Sequence, residues 1–482
     1  MGAGFIVAGT HSGCGKTTVS LGLMACLRKK GYVVQAFKAG PDFIDAGLHR
    51  LVTGRPSRNL DIWMCGEDFV KSSFERHSSR ADISIIEGVM GIFDGEDSTA
   101  RLAQFLKVPV VLVVDAFGMA ETAGAIVNGI VERATRDFRD IKFKGVVFNR
   151  VCSEAHLKRL TKGLEIPCLG YLPKDKRFSI PSRHLGLVTA EEKPITDSAI
   201  DRLAELMTKY VNIGEIANNR ATEQQTSRPA ETEQQSSRAA DQQDIEEEII
   251  PLKNYCSTAL LRYCSTLRRL AIARDRAFSF YYEDNLDILR ESGFELIEFS
   301  PLNNRELPED IDGLYIGGGY PEEYAETLSY NKELINAIKK ASLEGIPIYA
   351  ECGGLIYLSE GIEKNRSFFP MTGILPFRIK MQNRPVLGYR EVRLLNSPLP
   401  PLTLRGGIKG GVLLRGHEFH YSVIDGLSDG KKDCVRSRFK VHNRDGEFIM
   451  DEGFTIRNTT GTYIHLHGAW NPDAFKRLFT EE

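Results

Sequence analysis

A glycine-rich segment near the N-terminus restricts the fold of this chain more than any other feature. The segment Gly9-Thr-His-Ser-Gly-Cys-Gly-Lys16-Thr17-Thr18 follows an apolar run at residues 5–8 and precedes a helical pattern at residues 19–29. When a strand, a glycine-rich turn and a helix follow one another in this order, backbone N–H groups converge and can surround phosphate oxygens. The segment therefore predicts a phosphate-binding loop inside a parallel α/β sheet.

The side chains of this loop suit a nucleotide with its metal ion. Lys16 supplies a positive charge for the phosphates, and the Thr17 hydroxyl can bind Mg²⁺. Thr10 stands where the strict phosphate-loop pattern has its first glycine, and this spacing resembles dethiobiotin synthetase and its relatives, which phosphorylate carboxylates. His11 stands where partitioning ATPases carry a second lysine, which argues against an ATP-driven dimer switch. The candidate ATP contacts in the loop are Thr10, Gly13, Cys14, Gly15, Lys16, Thr17 and Thr18.

Length and hydrophobic pattern predict two α/β domains joined by a linker. The chain has 482 residues, which is too long for one hydrophobic core. Short apolar runs alternate with helical patterns on both sides of a segment rich in Gln, Glu, Ser and Thr, and such a segment is typical of a disordered linker. We expect a P-loop domain of the dethiobiotin synthetase type at residues 1–212, a low-complexity linker, disordered in part, at 213–267, and a flavodoxin-like α/β domain at 268–482. The strand-like runs are residues 5–8, 33–37, 83–86, 110–114 and 145–148, then 270–273, 296–299, 313–316 and 346–350.

Charge, hydropathy and cysteine content exclude several functional classes. The formal net charge is -2, so no basic excess indicates nucleic acid binding. No apolar stretch reaches the roughly 18 residues that a membrane span needs, and the predicted loop begins too close to Met1 for a signal peptide. The nine cysteines are scattered and contain no C-x-x-C pair, which is typical of reduced thiols. We expect a cytoplasmic protein that binds neither nucleic acid nor membrane.

Acidic residues follow two further strands of the predicted first sheet. Lys38-Ala-Gly-Pro-Asp42-Phe43-Ile-Asp45 follows the second strand, and Glu87-Gly-Val-Met-Gly-Ile-Phe-Asp94 follows the third. Ligands bind at the carboxyl ends of strands in open α/β sheets, and carboxylates there can complete the shell of a Mg²⁺ ion that bridges phosphates. Each acid taken alone could equally cap a helix or a turn. As a set beside a phosphate loop, they favour a functional role.

These strings carry a family resemblance. Together with Phe148-Asn149-Arg150-Val151 and the string at residues 182–190, they resemble cobyrinic acid a,c-diamide synthases, in which ATP phosphorylates a corrin carboxylate and the acyl phosphate is amidated. The resemblance implies that Asp42 and Glu87 bind metal beside Thr17, and that Asn149 contacts adenine. The residues assigned to the substrate or the phosphorylated intermediate are Lys38, Phe43, Asp45 and Asp94.

Two positions depart from that family. The family usually reads Pro-Asp-Tyr-Ile-Asp-Pro, whereas this chain has Phe43 in place of the tyrosine and Ala46 in place of the last proline. The tyrosine position neighbours the tetrapyrrole in the family, so the missing hydroxyl bears on the substrate and on the order of amidation. Ni-sirohydrochlorin a,c-diamide synthases of coenzyme F430 formation are an alternative within the family. Gly40-Pro41, which those enzymes often lack, favours a corrin.

A cysteine near the C-terminus has the surroundings of a nucleophile. Ile348-Tyr-Ala-Glu-Cys352-Gly353-Gly is an apolar strand that ends in a cysteine, followed by glycines and a helical run. A sharp turn there exposes the thiol, following N–H groups can stabilise an oxyanion, and a helix start favours the thiolate. The segment resembles class I glutamine amidotransferases, and Gly313-Leu-Tyr-Ile-Gly-Gly-Gly319-Tyr-Pro-Glu322 resembles their oxyanion strand and loop. The resemblance implies oxyanion donors at Gly319 and Gly353.

Histidines in a later segment offer a general base for this cysteine. A cysteine and a distant histidine that meet only in the fold are what thiol acyl transfer requires, and Gly461-Thr-Tyr-Ile-His465-Leu-His467 matches the family pattern at His465. Many class I members have Glu two residues after that histidine, whereas this chain has His467, so we predict a Cys352–His465 dyad. The same histidines with His417 and His420 could suggest zinc, although packing or substrate contact is the favoured interpretation.

The two halves together predict one reaction. Glutamine hydrolysis supplies ammonia, and ATP activates a carboxylate that ammonia then attacks. We therefore predict a carbon–nitrogen ligase that uses ATP, Mg²⁺ and glutamine to amidate the a and c carboxylates of cobyrinic acid in cobalamin biosynthesis. The expected partner is a small-molecule tetrapyrrole, and a homodimer is left open. An alternative of another class is a regulatory P-loop ATPase with a degenerate glutaminase-like interaction module, against which intact Cys352 and His465 argue.

Overall fold

The structure, a computed structural model, describes residues 3–175, 190–192, 195–218, 267–395, 413–427 and 434–480. Most of the predicted linker lies outside these ranges, as do residues 182–189 of the family string. Residues 213–217, which we assigned to the linker, form a short helix in which Ile213 and Ile216 are buried. The folded part of the first half therefore extends beyond residue 212, because these two isoleucines pack against its core.

In the first half, the strands expected from apolar runs are present, and helices separate them. The strands are β1 (Ala3–Gly9), β2 (Val34–Ala39), β3 (Arg58–Leu60), β4 (Ile83–Glu87), β5 (Val110–Asp115), β6 (Phe143–Val151) and β7 (Cys168–Pro173). The helices are α1 (Lys16–Lys29), α2 (Phe43–Thr53), α3 (Ile62–Cys65), α4 (Glu67–Ser78), α5 (Thr99–Leu106), α6 (Thr122–Asp137), α7 (Glu154–Leu160), α8 (Asp197–Tyr210) and α9 (Ile213–Ala217). β3 and β7 were not among the expected runs, since β3 is mostly polar and Gly170 interrupts the apolar residues of β7.

The seven described strands of this half form a parallel sheet in the order β3-β2-β4-β1-β5-β6-β7. β2, β4 and β5 are buried along their whole length. Helices cover both faces of such a sheet, which explains why these strands are apolar without alternation. The chain continues on opposite sides of β1, so the carboxyl ends of β1 and its neighbours frame the crevice where ligands bind in this class of sheet.

A mixed sheet forms the second half, and its parallel centre, β9-β8-β10-β11-β18, contains the predicted strands. The strands are β8 (Arg268–Ala273), β9 (Phe294–Phe299), β10 (Gly313–Ile316), β11 (Ile348–Glu351), β12 (Gly361–Lys364), β13 (Ser367–Pro370), β14 (Phe377–Leu394), β15 (Leu413–Leu427), β16 (Arg436–His442), β17 (Phe448–Ile456), β18 (Thr459–Thr462) and β19 (Ile464–His467). The helices are α10 (Glu283–Glu291), α11 (Ala325–Tyr330), α12 (Lys332–Leu343), α13 (Gly353–Leu358) and α14 (Pro472–Lys476). None of the helices in the described ranges is long and apolar enough to cross a lipid bilayer.

Beyond this parallel centre, antiparallel strands extend the second sheet. β14 and β15 form a long ribbon, and β15 also pairs with β19. The ribbon was not predicted, because charged residues such as Lys380 and Arg390 interrupt its apolar pattern. The ribbon matters for the site because its strand β15 pairs with β19 and so holds the strand that carries His465.

Buried charges join the two halves. Arg58 Nη1 on β3 lies 3.2 Å from Asp284 Oδ1 and 2.7 Å from Asp287 Oδ2, both on α10. Arg58 and Asp284 are both buried. Burial raises the pKa of Asp284 to about 6, and the Arg58 guanidinium opposes that shift by favouring the carboxylate. The ion pair therefore connects β3 of the first half to α10 of the second.

Replacing Arg58 by alanine is expected to lower the free energy of unfolding by about 3 kcal/mol, because Asp284 then stays buried without its cation. Arg76→Ala is the matched control. Its guanidinium meets Glu291 of α10 at 2.7 Å, but the two side chains are 46% and 57% exposed, so the loss should stay below about 1 kcal/mol. Urea unfolding followed by circular dichroism measures both. Equal losses in the two variants would contradict the prediction.

Candidate active site

The predicted phosphate loop connects β1 to α1, and Lys16 is the first residue of that helix. Gly13 and Gly15 have φ angles of 83° and 102°, which favour glycine. A β-carbon on Gly15 would lie only 2.0 Å from Asn149 Nδ2. The Lys16 ammonium donates to the carbonyls of Met90 at 2.5 Å and His11 at 3.2 Å. Lys16 therefore connects the loop to the segment that follows β4.

The other predicted ATP contacts lie in this loop or in the first turn of α1. The Thr10 N–H donates to Val113 of β5 at 3.3 Å, and Thr18 follows Thr17 in the helix. Cys14 is fully buried, and its carbonyl accepts a 3.1 Å hydrogen bond from Asn149 Nδ2. Asn149, at the end of β6, therefore supports the loop. Its contact with adenine remains a prediction.

Glu87, the last residue of β4, joins the loop to a cluster of buried charges. Its Oε1 accepts from Thr17 Oγ1 at 2.6 Å and lies 3.2 Å from Lys38 Nζ, while Oε2 lies 2.7 Å from His49 Nε2. Burial disfavours the carboxylate, but Lys38, His49 and Thr17 together hold the pKa of Glu87 well below its usual range. A threonine hydroxyl beside an ionised carboxylate is a donor pair that suits Mg²⁺. Thr17 and Glu87 therefore fit the predicted metal.

Lys38 gathers the two aspartates that follow β2. Its Nζ lies 2.5 Å from Asp45 Oδ2 and 3.9 Å from Asp42 Oδ2. Burial lowers the pKa of Lys38, but the surrounding carboxylates outweigh burial and raise it above its ordinary value. Asp42 also caps α2, since its Oδ1 accepts from the Asp45 N–H at 2.9 Å. The sequence left open whether Asp42 caps a helix or faces a ligand, and the geometry is compatible with both.

Asp94 lies in the turn after β4, where it stabilises that turn. Its Oδ2 accepts from the Gly91 N–H at 2.7 Å, and the side chain is exposed. The turn packs on the phosphate loop, because the Ile92 N–H donates to the Gly9 carbonyl at 2.8 Å. The structure thus places Asp94 beside the loop, and its role in the phosphorylated intermediate remains a prediction.

Phe43, predicted to contact substrate, is turned toward the second half of the chain. Its ring is stacked on Phe280 at 5.2 Å between centroids, and it lies 5.0 Å from the His465 ring and 5.5 Å from the His417 ring. Asp42, which precedes it, belongs to the Lys38 cluster. Asp42 in the Lys38 cluster and Phe43 against His465 are therefore neighbours in the chain, joined by one peptide bond.

Cys352 occupies a strained turn between β11 and α13. Its φ of 48° and ψ of -101° are rare for a residue with a side chain, as the predicted nucleophile turn requires. The thiol donates to the Phe419 carbonyl at 3.7 Å. The expected thiolate is not favoured: burial, followed by the charge of Glu322, raises the pKa of the Cys352 thiol above its ordinary value. The enclosed position outweighs the start of α13, which is only six residues long.

A glycine turn after β10 brings the predicted oxyanion positions close together. A β-carbon on Gly353 would lie 2.9 Å from the Gly319 nitrogen, and one on Gly318 would lie 2.3 Å from His465 Cε1. The turn is therefore flanked by the Cys352 elbow on one side and by the His465 ring on the other. This is the close approach that backbone donors need if they are to share one oxyanion with a nucleophile and a base.

His465 lies on β19, opposite His417 of β15, and the two rings are stacked with centroids 4.9 Å apart. Burial, with a smaller contribution from the neighbouring histidines, lowers the pKa of His465 well below its ordinary value. A neutral imidazole is the form that can accept a proton. Among the hydrogen bonds of the described residues, none joins the Cys352 thiol to this ring. Such bonds are commonly long before substrate binds.

The remaining histidines are held by separate partners, which does not favour the zinc alternative. His420 lies 2.8 Å from Glu418 Oε1 through Nε2, and its Nδ1 lies 2.7 Å from a backbone carbonyl. His417 Nδ1 lies 2.7 Å from the Tyr282 hydroxyl. His467 Nδ1 accepts a backbone N–H at 3.2 Å. Each ring is therefore used in packing and hydrogen bonding rather than directed at a common point.

Within the described ranges, one group of three metal-capable side chains does converge, and it lies elsewhere. It consists of His77, Asp284 and Asp287 at the contact between the halves. Arg58 already pairs with both aspartates. Since the Arg58 guanidinium contacts both carboxylates, the group is explained as an interface ion cluster.

Sequence reasoning gave no role to two buried side chains that contact this region. His49 pairs with Glu87, and it lies four residues after Asp45 on α2, so helical spacing could have placed both on one face. Glu351 precedes Cys352 on β11 and lies 3.8 Å from His465 Nδ1. The signal for Glu351 was an acidic residue at the end of an otherwise apolar strand.

Two family models match the chain. Residues 5–188 match the CobQ/CobB/MinD/ParA nucleotide-binding domain, and residues 269–472 match the CobB/CobQ-like glutamine amidotransferase domain. The two matches correspond to the two sheets described above. Their order along the chain is the predicted one.

Similar proteins match nearly the full length of this chain. The cobyrinate a,c-diamide synthase of Syntrophotalea carbinolica is 40% identical over 482 residues, which is 97% of this chain and 96% of that protein. The cobyrinate a,c-diamide synthase of Caldanaerobacter subterraneus is 38% identical, over 98% of this chain and 97% of that protein. A solved structure of the septum site-determining protein MinD with Mg-ADP from Pyrococcus horikoshii is 15% identical, with a TM-score of 0.31 over 45% of this chain and 95% of that chain.

Proposed function

Because the chain belongs to the cobyrinate a,c-diamide synthase family, we propose that it amidates the a and c carboxylates of cobyrinic acid with ammonia from glutamine and with ATP as the energy source. The observation that carries this proposal is the contact between Phe43 and His465. It brings the acidic loop of the nucleotide half against the predicted base of the glutaminase half. A reaction that releases ammonia at one centre and uses it at another needs such proximity, since water competes at both.

The first half activates the carboxylate. The phosphate-loop N–H groups and Lys16 bind the ATP phosphates, and a substrate carboxylate oxygen attacks the γ-phosphorus to give an acyl phosphate and ADP. Thr17 and Glu87 would hold Mg²⁺, which lowers the negative charge of the β- and γ-phosphates when it is bound. Lys38 pairs with Asp45 and Glu87 and holds both side chains in place beside the loop.

The second half releases ammonia from glutamine. The Cys352 sulfur attacks the side-chain amide carbon, its proton passes to His465, and the backbone N–H groups of Gly319 and Gly353 receive the oxyanion. His465 returns the proton to the leaving nitrogen, which departs as ammonia, and water then hydrolyses the thioester. Burial keeps the thiol protonated at rest, so the thiolate forms by transfer to His465 rather than being present beforehand.

Ammonia then attacks the acyl phosphate, phosphate leaves, and the amide is formed. A cavity of about 30 Å³ between the halves is lined by Phe43 and Asn59 from the first half and by Ser279 and Phe280 from the second. A volume of this size holds about one water molecule, and ammonia is similar in size. The cavity is therefore large enough for one ammonia molecule beside Phe43, and Arg50, Arg274 and Glu283 also line it. A second round at the other carboxylate gives the diamide.

Incubation with ATP, Mg²⁺ and glutamine, with either cobyrinic acid or Ni-sirohydrochlorin, tests this proposal. Mass spectrometry is expected to find the diamide of cobyrinic acid, and no product when Mg²⁺ is removed with a chelator, because Thr17 and Glu87 then lack their ion. Amidation of Ni-sirohydrochlorin alone would overturn the corrin assignment. ATP turnover without amidation of either tetrapyrrole would favour the regulatory ATPase.

Location and assembly complete the proposal. We infer a cytoplasmic enzyme, since ATP and glutamine are both available there. A homodimer stays an open prediction, which light scattering of the purified chain decides.

A further inference from the structure

Glu351 lies at a position that the proposed chemistry does not yet use. It is the last residue of β11, directly before the predicted nucleophile Cys352, and it is 1% exposed. Its Oε1 accepts from the Tyr349 hydroxyl at 3.0 Å and from the Leu466 N–H at 3.1 Å, while Oε2 accepts from the Tyr315 hydroxyl at 2.9 Å. Three donors from different strands therefore fix this carboxyl group in one orientation.

The Nδ1 nitrogen of His465 is the nearby group that could donate a hydrogen bond to this carboxylate. Its Nδ1 lies 3.8 Å from Glu351 Oε2. That nitrogen is buried and has no hydrogen-bond partner among the described residues. A buried polar atom without a partner is costly, and a movement of less than 1 Å would give it one at ordinary hydrogen-bond length.

A proton on Nδ1 decides whether His465 can act as a base. The ring accepts the thiol proton at Nε2 only if Nδ1 carries the hydrogen, and a carboxylate that accepts from Nδ1 selects that tautomer and stabilises the imidazolium that forms. Burial raises the pKa of Glu351 to about 8. A hydrogen bond from His465 Nδ1–H favours the ionised carboxyl and so acts in the opposite direction.

We propose that Glu351 is the positioning residue that orients His465, so that the glutaminase centre is a Cys352–His465–Glu351 triad whose acid precedes the nucleophile instead of following the base. This inference rests on the proposed function, which makes Cys352 and His465 the reacting pair. During thioester formation the thiol proton moves to Nε2 and then to the departing ammonia. The Nδ1 proton stays between His465 and Glu351 throughout.

His467, which stands where a triad glutamate would follow the base, is unavailable for this role. Its Nδ1 accepts a backbone N–H at 3.2 Å. Its ring packs on Tyr282 at 4.7 Å and edge-on to Phe69 at 5.7 Å between centroids. His467 therefore belongs to the contact between the halves, and the acid must come from another strand.

The test compares glutamine-dependent and ammonia-dependent amidation in Glu351→Gln. An amide can present its NH₂ group to Nδ1 and so favour the wrong tautomer, and we expect kcat with glutamine to fall about 100-fold. The KM for glutamine and the rate with free ammonia should stay unchanged, since neither depends on His465. Glu351→Asp, which keeps the charge on a shorter side chain, should recover part of the lost kcat.

Tyr349→Phe is the control for a purely structural effect. It removes one hydrogen bond from Oε1 of Glu351, whereas Oε2 is the atom near His465. The kcat with glutamine should therefore fall less than about fivefold. Unchanged kcat in Glu351→Gln, an increase confined to KM, or equal loss with glutamine and ammonia would each overturn the inference. Failure of the proposed function is distinguishable, because the unchanged protein would then amidate neither tetrapyrrole with either nitrogen source.

Discussion

With alanine at position 352, amidation supported by glutamine is expected to fall about 10,000-fold, whereas amidation supported by free ammonium salts continues at the rate of the unchanged protein. The physical reason is that ammonia in solution bypasses the thioester, while the carboxylate-activating half remains intact. The side chain removed is small, and its hydrogen bond to the Phe419 carbonyl is a weak one. Parallel product assays with the two nitrogen sources measure the effect.

Cys152→Ala is the matched control for this variant. Cys152 is exposed and lies after β6 in the first half, so its loss should leave both rates unchanged. Glutamine-dependent synthesis that persists in Cys352→Ala would remove the assignment of the nucleophile. Loss with both nitrogen sources would instead show that the substitution disturbs the fold.

Replacing Lys16 by alanine is expected to lower the rate of amidation about 1,000-fold, whether glutamine or free ammonia supplies the nitrogen. Lys16 connects the phosphate loop to the Met90 carbonyl after β4, and it is the cation that we propose for the phosphates. The glutaminase half should be unaffected. The rate at which a diazoketone analogue of glutamine alkylates Cys352 measures this independence, and it also shows that the variant is folded.

Lys29→Ala provides the control on the same helix. Lys29 ends α1, is 48% exposed, and pairs with Asp201 at 2.7 Å on the surface, so its removal should change neither rate. A Lys16→Ala protein that retains ammonia-dependent synthesis would contradict a role for the loop in carboxylate activation. Slower alkylation of Cys352 would indicate a folding defect instead.

The fold was largely predictable because the first sheet and the centre of the second are parallel, and strands of such sheets are apolar on both faces. Runs such as residues 110–114 are apolar on both faces, and each such run corresponds to a strand. Local order along the chain then placed the glycine loop after β1 and Cys352 after β11. The β14–β15 ribbon was missed, because its stability comes from pairing with its neighbours rather than from a local apolar pattern.

The sequence predicted which residues belong to each candidate centre, but not how those residues are arranged in space. The environment of Cys352 was predicted from the start of a helix, yet the pKa of the thiol is set by burial, which depends on distant parts of the chain. The position of Phe43 depends on how the halves pack, and no local pattern carries that information. Glu351 lacked a role for the same reason, since its relation to His465 joins residues more than a hundred positions apart.

The aromatic and charged contact between the halves has a consequence for experiments that dissect the protein. Tyr282 is buried in the core cluster of the first half, and Arg58 of that half pairs with two aspartates of α10. If the second half were expressed alone, Tyr282 would face water and the two aspartates would lack the Arg58 guanidinium. The nucleotide and glutaminase units are therefore not interchangeable modules, and activities measured on isolated halves would describe altered proteins.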